Sequence, residues 1–303
     1  MKTLLTLLFL IGAVLTQSAS AVDKKIVDKL QAISVTVETT KGSGSGVIKV
    51  KKRGDDSINF VFTAAHVVSS LRSTKDIIDG KTGTKRTVVS FKDAKVVQVT
   101  VEDGRTIGKV ELFAQVFKYS QEEDLAILKI RKKNFSTESV EFYLDKDIPA
   151  IGTELVHVGS FLGEKAGSNS LSVGVVSQLG RLIEDEEEST KIFDQTTVTA
   201  FPGSSGGGVF LKSDGKLIGF LLRGTSETFN FISPVRRVLA WAKQSGLEWL
   251  VRDDLPLPSE AVLSKIPVED NGVSFDALKA AAAIIKGGHS ETSKETHTLE
   301  LQK

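Results

Sequence analysis

Apolar positions change their spacing along this chain, and each spacing predicts a different element. Leu4 to Leu15 is continuously apolar apart from Thr6, follows Met1-Lys2 and leads to Ala19-Ser20-Ala21. A basic start, a short apolar run and small residues at a cleavage point form the secretory signal pattern. The run falls short of the ~20 residues that span a bilayer. Residues 1–21 are therefore expected to be a signal peptide, leaving a mature chain from Val22 with no stable membrane insertion. Ile26, Val27, Leu30 and Ile33 then share one helical stripe.

From Val35 to Ile232 the spacing shortens to that of strands. Val47-Ile48, Phe60 to Phe62, Val88 to Phe91, Val96 to Val101, Val110 to Phe117 and Leu125 to Ile130 are β-rich runs. Leu155 to Val158, Leu171 to Val176, Val209 to Leu211 and Leu217 to Leu222 follow, with turns such as Asp103-Gly104 and Asp214-Gly215 between runs. Many short strands without long intervening helices predict an all-β sandwich or barrel rather than a parallel sheet. Val235, Val238, Leu239 and Ala242 restore a helical stripe that Gly246 stops. Leu255-Pro256-Leu257-Pro258 reads as a linker, Ser274 to Ile285 as a short helix, and His289 to Lys303 as a polar, mobile tail.

Composition narrows the chemistry. The 303 residues include 39 Lys+Arg, 38 Asp+Glu, four His and no Cys. Loss of Lys2 with the leader makes the two charge classes equal, so bulk charge gives no reason to expect nucleic acid. Without cysteine there can be no disulfide, thiolate metal site or cysteine nucleophile. The acids Glu184 to Glu188 read as a solvated loop, Lys49 to Arg53 and Arg131 to Lys133 as exposed strand ends, and His157 as a structural histidine.

Three segments could carry catalysis. Phe60-Val61-Phe62-Thr63-Ala64-Ala65-His66 delivers a histidine at the end of a β-rich run. Asp124 precedes the buried-type strand Leu125 to Ile130, and Phe201-Pro202-Gly203-Ser204-Ser205-Gly206-Gly207-Gly208 sets a serine among glycines. A serine hydroxyl needs a base within hydrogen-bond reach, and the base needs a third group to orient it. It also needs donors aimed at the developing oxyanion, and glycines let backbone N–H groups come close. Ser205 as nucleophile, His66 as base, Asp124 as orienting acid, and the Gly203 and Ser205 N–H groups as oxyanion hole meet these demands.

Thr-Ala-Ala-His66, Asp124-Leu-Ala-Ile-Leu-Lys and Pro-Gly-Ser-Ser205-Gly-Gly closely resemble the His, Asp and Ser motifs of trypsin-like serine proteases. They are most similar to the bacterial HtrA/Deg branch, with Ser204 where that branch has Asn. Gly42-Ser43-Gly44-Ser45-Gly46-Val47, Val158 to Gly163 and Val173 to Ser177 resemble further segments of it, so the resemblance covers about residues 25–245. It implies two antiparallel six-stranded β-barrels, at about 34–140 and 145–233, and a closing helix at 234–245, within a protease domain of 22–250. Residues 251–303 then hold the linker, short helix and tail. The 58 residues from His66 to Asp124 exceed the branch's spacing, and Arg72 to Arg86 looks like an inserted loop.

The resemblance also bears on specificity and control. Trypsin binds basic side chains with an acid six residues before its nucleophile; here that position is Thr199. With Leu222, Gly224 and Phe229 as the other substrate-binding candidates, a preference for small aliphatic residues is expected. Ser204 cannot make the ion pair with a freed N-terminus that activates trypsin zymogens, so loop rearrangement is the expected route to an ordered oxyanion hole. The branch commonly adds a PDZ domain and forms trimers; the tail after Asp254 is too short for that domain, and a homo-oligomer rests on analogy alone. The α/β-hydrolase elbow G-x-S-x-G also matches Gly203 to Gly207, but it needs a helix next and a downstream histidine. Gly206-Gly207-Gly208-Val209 leads into a strand, and only His289 and His297 lie downstream.

The expectation is thus an exported serine endopeptidase, periplasmic or extracellular, acting on polypeptides in processing or quality control. It needs neither cofactor nor metal. The absence of cysteine favours a bacterial envelope over a disulfide-stapled animal enzyme. The alternative is a catalytically weak relative serving as a peptide-binding or chaperone-like module.

Overall fold

The computed structural model describes residues 21–78, 83, 85–162, 167–184 and 190–270. The expected signal peptide up to residue 20, most of the acidic run, the helix after Ser274 and the tail lie outside these residues. Helix α1 (Lys24–Ile33) begins at Asp23, whose carboxylate accepts from Lys25 N at 2.7 Å. Leu30 and Ile33 are its buried stripe, and Ser34 turns the chain into extended backbone.

Strands β1 (Ser34–Thr39), β2 (Gly42–Arg53) and β3 (Asp56–Ala64) follow, then helix α2 (Ala65–Val68). Next come β4 (Arg72–Ile78), β5 (Lys85–Phe91), β6 (Ala94–Glu102), β7 (Arg105–Ser120) and β8 (Leu125–Ile130). The order β1-β2-β3-β8-β7-β6 closes a barrel in which every neighbour is antiparallel. A second barrel comprises β9 (Glu154–Phe161), β10 (Ser168–Glu184), β11 (Thr190–Thr196), β12 (Gly208–Leu211), β13 (Leu217–Ser226) and β14 (Phe229–Pro234). Its order is β10-β11-β14-β13-β12-β9, again closed. Closure removes exposed sheet edges, so neither barrel needs a covalent staple to protect them.

The barrels meet through aromatic side chains. Phe62 of β3 stacks on Phe220 of β13 at 5.4 Å with 12° between the rings, and packs edge-on against Phe142. On the same strand Phe60 meets Trp249 at 5.4 Å. Burial on both faces is why Phe60-Val61-Phe62 is continuously apolar instead of alternating.

Three expectations are corrected. Arg72 to Arg86 is not a loop throughout: β4 and β5 form an antiparallel hairpin, with Thr74 opposite Val89 and Asp76 opposite Thr87. Backbone pairing holds it, and the exposed side chains of Arg72 to Asp76 give no apolar alternation to reveal it. Lys49 and Lys51 are not exposed ends of β2, and Leu255 to Pro258 is not a free linker. After α3 (Val235–Gln244) and α4 (Glu248–Val251), the chain runs as a strap along barrel one and includes α5 (Glu260–Leu263). Lys49 Nζ, wholly buried, meets Asp253 Oδ1 at 2.5 Å, and Lys51 Nζ donates to the carbonyls of Arg252 and Leu255. Burial pushes both ammonium groups below the ordinary lysine pKa. The buried Lys118 meets Asp270 at 2.5 Å, while Tyr119 N donates to Val268 O at 2.7 Å. A strap from some 150–200 residues downstream covers these lysines. Arg131 and Lys133 are exposed, as expected.

Candidate active site

The end of β3 sets the position of His66. The strand stops at Ala64 and α2 starts at once, so His66 sits on the first turn of a short helix. The first N–H groups of a helix lack intrahelical acceptors. Asp124 supplies them from the turn before β8: its carbonyl accepts from Ala65 N at 3.1 Å and its Oδ1 from His66 N at 3.0 Å. The same carboxylate faces His66 Nδ1, with Oδ1 at 3.0 Å and Oδ2 at 2.9 Å. The Nδ1–H therefore donates to Asp124, which leaves Nε2 unprotonated in the neutral ring. The hydrogen bond and charge of Asp124 raise the His66 pKa above its ordinary value; burial and the Arg223 guanidinium oppose the rise.

Asp124 has φ +51°, a left-handed conformation that aspartate tolerates better than most residues. Its turn is fastened from α3. Arg237 Nε donates to Glu123 Oε2 at 2.6 Å, and its Nη2 to Glu123 O at 3.1 Å. The guanidinium also lies 4.8 Å from the Phe193 ring centre.

Ser205 sits in the loop before β12. Phe201 to Ser204 is a turn closed by Ser204 N to Phe201 O at 2.9 Å, with Pro202 and Gly203 in its centre and Gly203 at φ +100°. This is a type II turn, which requires glycine at that place. The buried Ser204 hydroxyl accepts from Phe201 N at 3.1 Å. Gly206 N donates to Leu221 O at 2.7 Å, Gly207 N to Ser204 O at 3.0 Å, and Leu162 N to Pro202 O at 2.7 Å. Among the described residues, the N–H groups of Gly203 and Ser205 have no protein acceptor in this loop. Free N–H groups on a serine and on the residue two before it are what an oxyanion site requires.

Gly206, at φ +83°, makes the approach between barrels possible: a Cβ there would lie 2.5 Å from Ala64 N and Ser45 O. His157 lies beneath the loop, wholly buried, with Nδ1 2.8 Å from Gly208 O. Burial lowers its pKa to about 4, so it is a neutral structural residue, as expected.

The four substrate-binding candidates lie in different surroundings. Thr199 is half-buried, and its carbonyl accepts from Ser172 Oγ at 3.1 Å. Leu222 is buried, Gly224 is exposed and pairs with Asn230, and Phe229 stands 40% exposed at the tip of the β13–β14 hairpin. Sequence reasoning missed Asn230. Its side chain is fully buried, with Nδ2 donating to Val198 O at 2.8 Å and Glu227 O at 2.9 Å. Its Oδ1 lies 2.5 Å from where a Cβ on Gly224 would stand, so the amide fills the space that the glycine leaves. An Asn between two Phe residues in a strand was the available signal. Arg237 gave none, because its partner Glu123 lies 114 residues away.

The family model described as "Trypsin-like peptidase domain" matches residues 44–220, more than half of the chain and all three motifs. The chain belongs to that family. A curated relative, "Protease Do-like 5, chloroplastic" of Arabidopsis thaliana, is 28% identical over 207 residues, 66% of this chain. The matched part is 55% of the relative, so the chain spans about half the length of the curated protein it matches. Among solved structures, "Crystal structure of Deg5" has a TM-score of 0.52 at 23% identity, covering 71% of this chain and 90% of that one. "HtrA-type protease AlgW with tripeptide" has a TM-score of 0.51 at 23% identity, covering 74% of this chain and 62% of that one. These structural likenesses concern the fold. The family match makes this a trypsin-like chain, and these relatives are what it is similar to.

Proposed function

We propose that the protein is a serine endopeptidase in which Ser205, His66 and Asp124 form the catalytic triad. The observation that carries this is the clasp of the Asp124 carboxylate on His66 Nδ1, which leaves Nε2 free to act as the base. Nε2 takes the hydroxyl proton as Ser205 Oγ bonds to the peptide carbonyl carbon, whose oxygen becomes an anion facing the Gly203 and Ser205 N–H groups. As the tetrahedral species collapses, the C–N bond breaks and the imidazolium gives its proton to the leaving amine. Water, deprotonated by the same Nε2, then attacks the acyl-serine ester; the bond from the acyl carbon to Oγ breaks, the imidazolium returns its proton to Ser205 Oγ, and the acid is released. Every proton moves through His66, so these steps require no metal or cofactor.

A fluorophosphonate probe tests the assignment. Wild type should be labelled on Ser205, and Ser205→Ala not at all. Folded wild type that resists the probe would overturn the active-enzyme reading. The second reading, a binding module on the same fold, is favoured by the absence of a hydrogen bond between Ser205 and His66 among the described residues. Such contacts often tighten only when substrate binds. Full biological activity in Ser205→Ala would decide for that reading.

Substrates would be polypeptides. The Asn230 amide beside Gly224 supports a preference for small aliphatic side chains before the cleaved bond. Cleavage-site profiling dominated by Arg or aromatic residues there would sink it. Export by a signal peptide of residues 1–21 to the periplasm or outside the cell, a protease domain of 22–250, a role in protein processing or quality control, and a homo-oligomer, trimeric by analogy, complete the proposal. Among the described residues no helix is long and apolar enough to cross a membrane.

A further inference from the structure

The run Gly42-Ser43-Gly44-Ser45-Gly46 in β2 has no part in the triad, yet its centre is tied to the nucleophile loop. Ser45 is buried to 1% exposure. Its hydroxyl accepts from Ser160 N at 2.8 Å and donates to Gly203 O at 2.7 Å. Its N–H donates to Ser205 O at 2.8 Å, and its carbonyl accepts from Thr63 Oγ1 at 2.7 Å. The flanking glycines permit this closeness: a Cβ on Gly44 would come within 2.9 Å of Ser205 O. One residue of barrel one thus holds the carbonyls of both residues whose N–H groups are free.

The consequence follows from peptide geometry. A trans peptide unit is planar, and its C=O and N–H point in opposite directions. Leu162 N fixes the unit between Pro202 and Gly203 by its carbonyl, and Ser45 Oγ fixes the next unit by the Gly203 carbonyl. The direction of Gly203 N–H is therefore set from both sides of a residue with wide backbone freedom, in addition to the turn bond from Ser204 N to Phe201 O. Without the Ser45 hydroxyl, Gly203 O loses its donor and its peptide unit is held only by Ser204 N to Phe201 O within the turn, so the aim of the neighbouring Gly203 N–H loosens.

We propose that Ser45 is a positioning residue for the oxyanion hole, through which β2 of barrel one aims the Gly203 N–H of barrel two. The proposal rests on the assignment of Ser205 and the oxyanion hole made above. Strand and loop are coupled by the Ser45 N–H to Ser205 O and by the Ser45 hydroxyl to Gly203 O, so docking of the two barrels and completion of the hole become one event.

Ser45→Ala tests this with a chromogenic peptide bearing a small aliphatic residue before the scissile bond, and with the aldehyde of the same peptide. The aldehyde adds to Ser205, and its hemiacetal oxygen occupies the hole. In the variant kcat should fall about 10- to 100-fold with KM within about twofold, and the aldehyde inhibition constant should rise by the factor lost in kcat/KM. A merely structural role would lower the melting temperature without this split. Wild-type kcat in the folded variant, or unchanged aldehyde affinity, overturns the proposal. If Ser45→Ala does not fold, Ser45→Cys replaces it, since a thiol is a weak donor of similar shape. The same split is expected, and wild-type kcat there overturns the proposal. Wild type that never labels on Ser205 refutes the triad itself and this proposal with it, an outcome distinct from a labelled Ser45→Ala with normal turnover.

Discussion

Gly206→Ala probes how closely the two barrels must approach for the site to exist. A Cβ on residue 206 would lie 2.5 Å from Ala64 N, Ser45 O and Thr63 Oγ1. Two of these are backbone atoms in paired strands of barrel one and cannot turn aside. Restoring ordinary contact requires the loop and barrel one to separate by about 0.9 Å. Ala64 lies two residues before His66, so this displacement opens the gap between His66, the proposed base, and the Ser205 loop. A misplacement of about 1 Å costs roughly 100-fold in rate. Overpacking and an alanine held at φ +83° together cost about 2–5 kcal/mol. For a domain of this size that lowers the melting temperature by about 5–15 °C. The assay is the rate of fluorophosphonate labelling at a temperature where both proteins are folded, with thermal melts alongside. Gly108→Ala is the control, because nothing lies within 4 Å of its added Cβ. A Gly206→Ala protein that labels and melts like wild type would refute the close-approach argument.

Further outcomes concern protons and the strap. The raised His66 pKa means that kcat/KM should climb with pH through a value above that of ordinary histidine, since imidazolium cannot accept the serine proton. Removing the opposing charge in Arg223→Ala should move this limb higher; a downward move would contradict the electrostatic picture. The His66–Asp124 contribution to stability has the opposite course, complete below the unfolded histidine pKa and lost as pH rises through the folded one. His157 ionises in the unfolded chain near the ordinary histidine value of 6.5 but at about 4 in the fold. Its neutral form therefore contributes about 3 kcal/mol that is lost as pH falls through that window. Urea melts at neutral and acid pH should show this loss, and His157→Gln should remove it. Asp270→Ala strands the buried Lys118 ammonium and should cost about 3 kcal/mol, most of which Lys118→Met in the same protein should restore. Equal melting temperatures for the single and double variants would show that the pair does not bear on stability.

Local pattern carried a great deal here. The helical stripe before Ile33, most barrel strands and the stripe on α3 were legible because the faces they bury recur at fixed spacing. The three motifs were legible for a chemical reason: a histidine at a strand end, an acid before a buried strand and a serine among glycines are each demanded by one reaction. Strands β11 and β14 were not legible. Asp194 and Gln195 in β11 are buried polar residues, the first paired with Arg236 at 2.6 Å and the second with Arg181 at 2.6 Å. Asn230, whose Nδ2 donates to Val198 O at 2.8 Å, interrupts β14 in the same way. A polar residue satisfied by a distant partner looks the same in sequence as one in water.

That limit separates what the sequence determined by itself from what only the tertiary structure decided. Composition and local periodicity determined an all-β chain without disulfides, and residue chemistry picked out His66, Asp124 and Ser205. Closure of the barrels decided the rest. It brought Arg237 to the turn before Asp124, Ser45 to the Gly203 carbonyl, Asn230 to the space beside Gly224, and a downstream strap over Lys49 and Lys118. Each contact joins residues far apart in the chain, except Asn230 with Gly224, which a hairpin brings together. Hydrophobic spacing reports which face of an element is buried, but not which other element buries it, so these partners become known only when the chain has closed on itself.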